Sequence, residues 1–416
     1  MQIVIIDSFM KSLFLLFSLT QTRTPQHKNM ITEDQSGAYP SAEYDEAKWI
    51  LMHTPGEELF SGVIHPAAAL FEHYFNVEAA AKEHKNYINI LKNNGCQVVT
   101  IREILNELDI NLLRILAARA LTYVPKNDEY RHEIINQMSR EDLIRCILMR
   151  PTVTTQTTEN NTGVEAVYTY QPLMNLYFLR DQSITTPKGT IMCRMNSSQR
   201  AYEVSVVKAC HEFLGNMPIH EIHEENAFLE GGDYIPFGDV AFLGRGMRTT
   251  QEAVNELLNN DLIGHDTLVV VNDNLRWQLQ MHLDTHFNVI DKDLVTMCQN
   301  RYYAKAGDKH FLTCDIYSRK PGESYQLIHK DLDFKQWLLD RGCKIIPINK
   351  QDELHYANNF LTIGPRHICA IDNQSPEFAN VLKENNVKVD WIPAENLICG
   401  YGAAHCMTQV IKRTVK

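Results

Sequence analysis

The sequence runs to 416 residues, 44% of them hydrophobic, with 40 Lys and Arg against 51 Asp and Glu and a net charge of −11. That is apolar chain enough for one to three domains, and the acidic balance argues against nucleic acid, which needs a basic face. No stretch of 18 uninterrupted apolar residues occurs, so no membrane-spanning helix is expected.

Residues 1–45 read as a disordered segment or an N-terminal extension. Within it, Met10–Thr22 (MKSLFLLFSLTQT) has a lysine and a short apolar run in the manner of a weak signal peptide, but no A-x-A-like cleavage site follows. Thr22–Tyr44 is polar, and Met30 offers an alternative start. The folded part is expected to begin at KWILMHTPGEEL, where an apolar strand (Trp49–Met52) meets a Pro55–Gly56 turn. Asn76–Lys92 carries apolar residues at helical spacing, Gly95 ends it, and Cys96–Ile101 reads as a strand. Residues 101–150 repeat the i, i+3, i+4 pattern and predict three to five helices in a small bundle. Ser139 and Asp142 mark one helix start, and Pro151 closes the region.

From there short apolar runs recur, among them LMNLYFL, GTIMCRM, DVAFLG, TLVVVN, KIIPI, NFLTIG and HICAID. Helical stretches at Gln199–Leu214, Gln251–Leu258 and Phe334–Arg341 lie between them. Strands alternating with helices predict an α/β domain over 46–100 and 151–416, with the helical stretch 101–150 between its two parts. No GxGxxG or GxxxxGK[ST] loop follows a strand, which disfavours dinucleotide and P-loop chemistry. Ten cysteines are scattered without a CxxC pair, so neither a zinc site nor a disulfide framework is expected. A reducing, cytoplasmic setting fits better.

Four clusters carry residues able to do chemistry. NLYFLRD holds Asn175, Phe178, Arg180 and Asp181; FLEGGDYIPFG holds Glu230 and Asp233 around a Gly-Gly pair; HLDTHF holds His282 and Asp284; CGYGAAHCMT ends in Cys406. On a strand, His282 and Asp284 would share a face and suit proton transfer, whereas Arg180 and Asp181 would face opposite ways. Each cluster also has a plainer explanation. HLD fits a half-exposed strand, LEGGD a solvated turn, and Cys406 a small buried hydrophobe.

Taken together and in this order, NxxFxRD, EGGD, HLDT and the small-residue loop ending in HCMT resemble arginine deiminase, of the guanidine-modifying superfamily. HTPGEEL (His53–Leu59) and RGMRTT (Arg245–Thr250) add to the match. The resemblance covers roughly 46–416 and implies a five-bladed pseudo-symmetric α/β propeller of ββαβ repeats with the helical insert. It makes Cys406 the nucleophile, His282 and Glu230 the acid/base and electrostatic groups, and Asp181 and Asp284 the pair that holds a guanidinium. Asn175, Arg200 and Arg248 would meet the substrate's α-carboxylate, and Phe178 would form a pocket wall. The implied reaction converts L-arginine to L-citrulline and ammonia through a covalent thiouronium. No metal, no organic cofactor and no nucleic-acid or membrane partner is implied, and a homodimer is the family expectation.

The same fold also hosts arginine dihydrolases, hydrolases of other guanidino compounds, amidinotransferases and, in principle, non-catalytic arginine binders. One departure bears on the substrate. Many relatives place an arginine a few residues before the cysteine, where this chain has Tyr401, and two alanines replace glycines. Arg413 lies too far along to substitute, which leaves Arg245 as the candidate to compensate.

Overall fold

The computed structural model describes residues 38–414, so the apolar run Met10–Thr22 and the rest of 1–37 lie outside the described residues. Strand β1 (Glu46–Met52) leads to helices α1 (Glu57–Ile64) and α2 (Val77–Asn93), then to β2 (Gln97–Thr100). Helix α2 forms where the sequence predicts it. Asn76 caps it by accepting from the Ala79 N–H at 2.9 Å, and Ala80, His84, Tyr87, Ile88 and Leu91 make one buried face. Four helices follow: α3 (Ile101–Glu107), α4 (Ile110–Ala120), α5 (Asp128–Gln137) and α6 (Arg140–Met149). Thr100 and Glu103 form a capping box at α3, and Ser139 accepts from the Asp142 N–H at α6. A three-stranded sheet of β3 (Thr122–Val124), β4 (Pro151–Thr157) and β5 (Val164–Tyr170) lies alongside in the chain.

Beyond it the chain repeats one motif: two antiparallel strands, a helix, then a third strand parallel to the second. The first unit is β6 (Ser183–Thr186), β7 (Gly189–Met192), α7 (Glu203–Phe213) and β8 (His220–Glu221). The second is β9 (Tyr234–Phe237), β10 (Val240–Arg245), α8 (Gln251–Asn259) and β11 (Thr267–Asn272). After the short helix α9 (Leu283–His286), the third unit opens with β12 (Phe287–Asp291) and β13 (Leu294–Cys298). The short helix α10 (Gln299–Tyr302), β14 (Thr313–Ser318) and β15 (Gln326–Asp333) intervene, and the last two strands extend the second unit's sheet. Helix α11 (Phe334–Asp340) and β16 (Lys344–Ile348) complete the third unit. Helix α12 (Lys350–Leu354) leads to the fourth: β17 (Leu361–Gly364), β18 (His367–Ile371), α13 (Pro376–Glu384) and β19 (Lys388–Ile392). The fifth is split across the chain, because β20 (Gln409–Thr414) pairs antiparallel with β1, whose other neighbour is the parallel β2.

The architecture is α/β, as the alternation predicts, built from separate sheets with no closed sheet among the described residues. Every residue of β6, β7, β9, β13 and β17 is buried, so these strands show no alternation of buried and exposed positions, and all but β9 carry buried threonine beside their apolar residues. The packed chain starts before the expected boundary at 46. Ala38 pairs with Arg413 through backbone bonds of 2.9 and 3.0 Å, and the buried Glu43 is ion-paired to the same arginine. One regularity positions the site. Just before the first strand of each unit stands a buried polar or sulfur side chain: Asp181 before β6, Glu230 before β9, Asp284 before β12, Asn359 before β17 and Cys406 before β20.

Candidate active site

The segment 400–408 is shaped by what cannot have a side chain. A Cβ at Gly400 would lie 2.0 Å from the Tyr177 hydroxyl oxygen, and one at Gly402 would lie 2.8 Å from Phe178 Cε1 and 3.1 Å from Cys406 Sγ. Asn359 then fixes the loop. Its Oδ1 accepts from the N–H of Ala403 at 2.8 Å and of Cys406 at 3.2 Å, while its Nδ2 donates to the Asp284 carbonyl at 3.1 Å. The Cys406 thiol points at Asp284 Oδ2, 3.5 Å away, and His405 Nδ1 lies 2.7 Å from the same oxygen. Behind His405 stands Glu43, 3.5 Å from Nε2.

The opposite side is built on His282. Its Nε2 lies 2.8 Å from Glu230 Oε2, and its Nδ1 lies 3.7 Å from Asp181 Oδ1. Gly232 makes room for the ring, since a Cβ there would be 2.7 Å from Nδ1. Glu230 Oε1 accepts from the Asn196 N–H at 2.9 Å, and Arg200 Nη1 donates to Asp181 Oδ2 at 2.6 Å. Two carboxylate oxygens are left over. Asp181 Oδ1 and Asp284 Oδ1 are buried and accept no hydrogen bond from the protein.

The electrostatics divide the groups by role. Burial opposes charge on His282, but Asp181, Glu230 and Asp233 outweigh it and push the imidazole up to about 9. Burial likewise opposes the charge on Glu230, yet the hydrogen bond and charge of His282, with Arg248 and Arg200, bring it down to about 2. His282 and Glu230 therefore form an imidazolium–carboxylate pair at neutral pH. Asp233, pushed up to about 7 chiefly by burial, accepts from Thr249 Oγ1 at 2.6 Å and from the Leu283 N–H at 2.9 Å. Burial, and then the charges of Asp284 and Asp181, push the Cys406 thiol well above its usual value. These surroundings favour the neutral thiol over the thiolate.

Donor atoms of Asp181, Glu230 and His282 lie within 4.8 Å of one another, a spacing that could hold a metal. The donor set fits one poorly. Arg200 already neutralises Asp181, Arg248 Nη1 stands 3.8 Å from Glu230 Oε1, and the imidazolium is itself a cation.

Residues 68–413 match the family model described as arginine deiminase. The chain belongs to the arginine deiminase family. It is 25% identical to the arginine deiminase of Halobacterium salinarum, across 92% of this chain and 98% of the relative. Against that of Borreliella afzelii it is also 25% identical, across 89% and 97%. Among solved structures, the product-bound N-terminal domain of ArgZ, an arginine dihydrolase from cyanobacteria, shares its fold. The TM-score is 0.55 at 15% identity, over 89% of this chain and 99% of that one.

The expected site residues fall into two groups. Cys406, His282, Glu230, Asp181 and Asp284 converge in one buried cluster. Phe178 packs against Gly402 beside Cys406, whereas the residues expected to meet the α-carboxylate are engaged elsewhere. Arg200 spends its guanidinium on Asp181, on Glu203 and on the carbonyls of Asn175 and Phe178, which makes it a tether for Asp181 rather than a free cation. Asn175 donates to the Ala69 carbonyl at 3.0 Å. Arg248 donates to Gln278 Oε1 at 3.2 Å, and its Nε has no acceptor. Arg245 is bonded to Gln251 and lies 3.7 Å from Asp315 Oδ2. Tyr401 holds a left-handed backbone with φ of 66°.

Two local expectations are corrected. Neither Arg180–Asp181 nor His282–Asp284 lies on a strand. The first pair sits in a turn, and His282 is the N-cap residue of α9, so the side chains converge through turn geometry rather than strand alternation. Sequence reasoning missed His405, Asn359 and Glu43. The histidine beside the cysteine was the one available signal; the other two come from distant positions that no local spacing marks.

Proposed function

We propose that this protein hydrolyses L-arginine to L-citrulline and ammonia, with Cys406 as nucleophile. The observation that carries the reading is the pair of vacant acceptors, Asp181 Oδ1 and Asp284 Oδ1, beside Cys406 and His282. A guanidinium is a planar fork of N–H donors, and two carboxylate oxygens without hydrogen-bond partners match it in charge and number. Its positive charge also favours the thiolate, the thiol proton passing to water as substrate binds. The sulfur attacks the guanidino carbon, the His282 imidazolium gives its proton to the departing nitrogen, and ammonia leaves a thiouronium on Cys406. Neutral His282, held by Glu230, then takes a proton from water, and the hydroxide adds to the same carbon. C–S cleavage, with the hydroxyl proton passing to the departing sulfur, releases citrulline and restores the thiol.

The five ββαβ units support a further part of this reading, that they stand as five blades round one axis. Equivalent positions before each first strand supply the clustered side chains, as pseudo-symmetry would require. Ten free and buried cysteines suit a reducing cytoplasm, and no helix among the described residues is long and apolar enough to cross a membrane.

The test is product analysis of the purified protein on L-arginine, with Cys406→Ser alongside. Equal citrulline and ammonia are expected, and the serine variant should be inactive. Ornithine as product would make the protein a dihydrolase, no product would leave it a binder, and an active Cys406→Ser would end the covalent route.

A further inference from the structure

A second group of ligand-type side chains lies away from the cluster described above. His220 on β8, His223 two residues past that strand and Glu256 on α8 bring their donor atoms within 4.8 Å of one another. His220 Nε2 is 2.7 Å and His223 Nδ1 3.1 Å from the same oxygen, Glu256 Oε1. The carboxylate is fixed in place: its Oε1 accepts from the His223 N–H at 3.1 Å and its Oε2 from the Glu224 N–H at 3.1 Å. The Glu256 side chain is wholly buried, and among the described residues no lysine or arginine forms an ion pair with it; its ion-pair partners are the two imidazoles. A buried carboxylate needs compensation, and beyond these N–H donors the groups placed to supply positive charge here are the two histidines or a cation bound between them. The His223 side chain is 72% exposed, which leaves one side open to an ion and its waters.

We propose that His220 Nε2, His223 Nδ1 and Glu256 Oε1 bind one divalent transition-metal ion of the Zn2+ class. Two imidazoles, one carboxylate and water make a tetrahedral donor set of the kind such ions take. Metal–ligand bonds of about 2.0–2.2 Å require the donors to spread to roughly 3.3–3.5 Å apart. The exposed His223 ring swings away, giving up its 2.8 Å contact with the Glu221 carbonyl, and the His220 ring withdraws from its 2.7 Å approach to Glu256 Oε1. Bound there, the ion joins β8 of the first ββαβ unit to α8 of the second, across the segment that carries Glu230. Its effect is on the stability of that junction rather than on turnover, and the site is independent of the arginine chemistry.

The probe is Zn2+ alone, equilibrated by dialysis with untagged, chelator-washed protein carrying Cys406→Ser, so that the active-site sulfur contributes no ligand. Metal content is read by atomic emission. His223→Ala is expected to lose one equivalent of zinc per chain relative to this parent, and zinc should raise the melting temperature of the parent but not of the variant. Because His223 is exposed, the variant should fold, which circular dichroism verifies. Equal zinc in parent and variant, or no zinc in either, overturns the proposal.

Discussion

In the proposed reaction, His282 is the residue whose charge state decides the chemistry. Isolated and buried, it would be neutral; Asp181, Glu230 and Asp233 instead hold it protonated up to about 9. Two consequences follow from that sign. The group gives up its proton as pH rises through about 9, so kcat/KM should fall there, and Glu230→Gln should move the alkaline limb to lower pH. Because the folded pKa lies above the unfolded value of about 6.5, the stability it contributes is complete below that pH and is lost as pH climbs through about 9. Chemical denaturation on both sides of that window should show the loss, and its absence in His282→Gln would assign it. At this scale the sequence was informative where chemistry concentrates in short motifs, as at Glu230, His282 and Cys406. It was silent on Asn359, whose importance is its reach to two N–H groups some forty residues away.

At the scale of elements, the turns rather than the strands were hard to read. LMNLYFL reads as a short apolar strand and HLD as a half-exposed one, yet nearly every side chain in both stretches is buried and the chain turns there to face the site. A short apolar run carries no periodicity to separate the two cases. The β4–β5 hairpin was overlooked for the opposite reason: β4 is mostly threonine and other polar residues, and every residue of β5, its valines and tyrosines included, is exposed. Gly232 shows how closely such a turn is fitted. Its φ does not require glycine, but a methyl group would press on the His282 ring at 2.7–3.0 Å. Gly232→Ala should fold and lose about 10²-fold in kcat, the scale expected from displacing a catalytic group by a fraction of an ångström to about 1 Å. Citrulline assays beside thermal melts separate this from unfolding, and a fully active variant would show that the ring has slack.

The whole molecule is tied together by pairings too distant for sequence patterns to reveal. The β1–β20 ladder joins residues 46–51 to 409–414, and only resemblance to a known family anticipated repeats of this kind. Arg413 secures the joint. It is 1% exposed, ion-paired to Glu43, and bonded to the carbonyls of Asp45 at 2.7 Å and Thr362 at 2.8 Å. Arg413→Ala leaves the buried Glu43 carboxylate without its main partner and should cost about 3–5 kcal/mol in denaturant unfolding. A loss below about 1 kcal/mol would mean that the backbone ladder alone holds the joint.

That ladder also sets a schedule for biosynthesis. While a ribosome makes the chain, β1 emerges early with one edge bare, and its partner strand arrives only after several hundred further residues, just behind Cys406. Until then the exposed edge invites mispairing between neighbouring nascent chains. A premature stop just after Cys406 would leave the proposed nucleophile on an unfastened loop and any earlier stop would remove it, so shortened translation products should be inert rather than partly active.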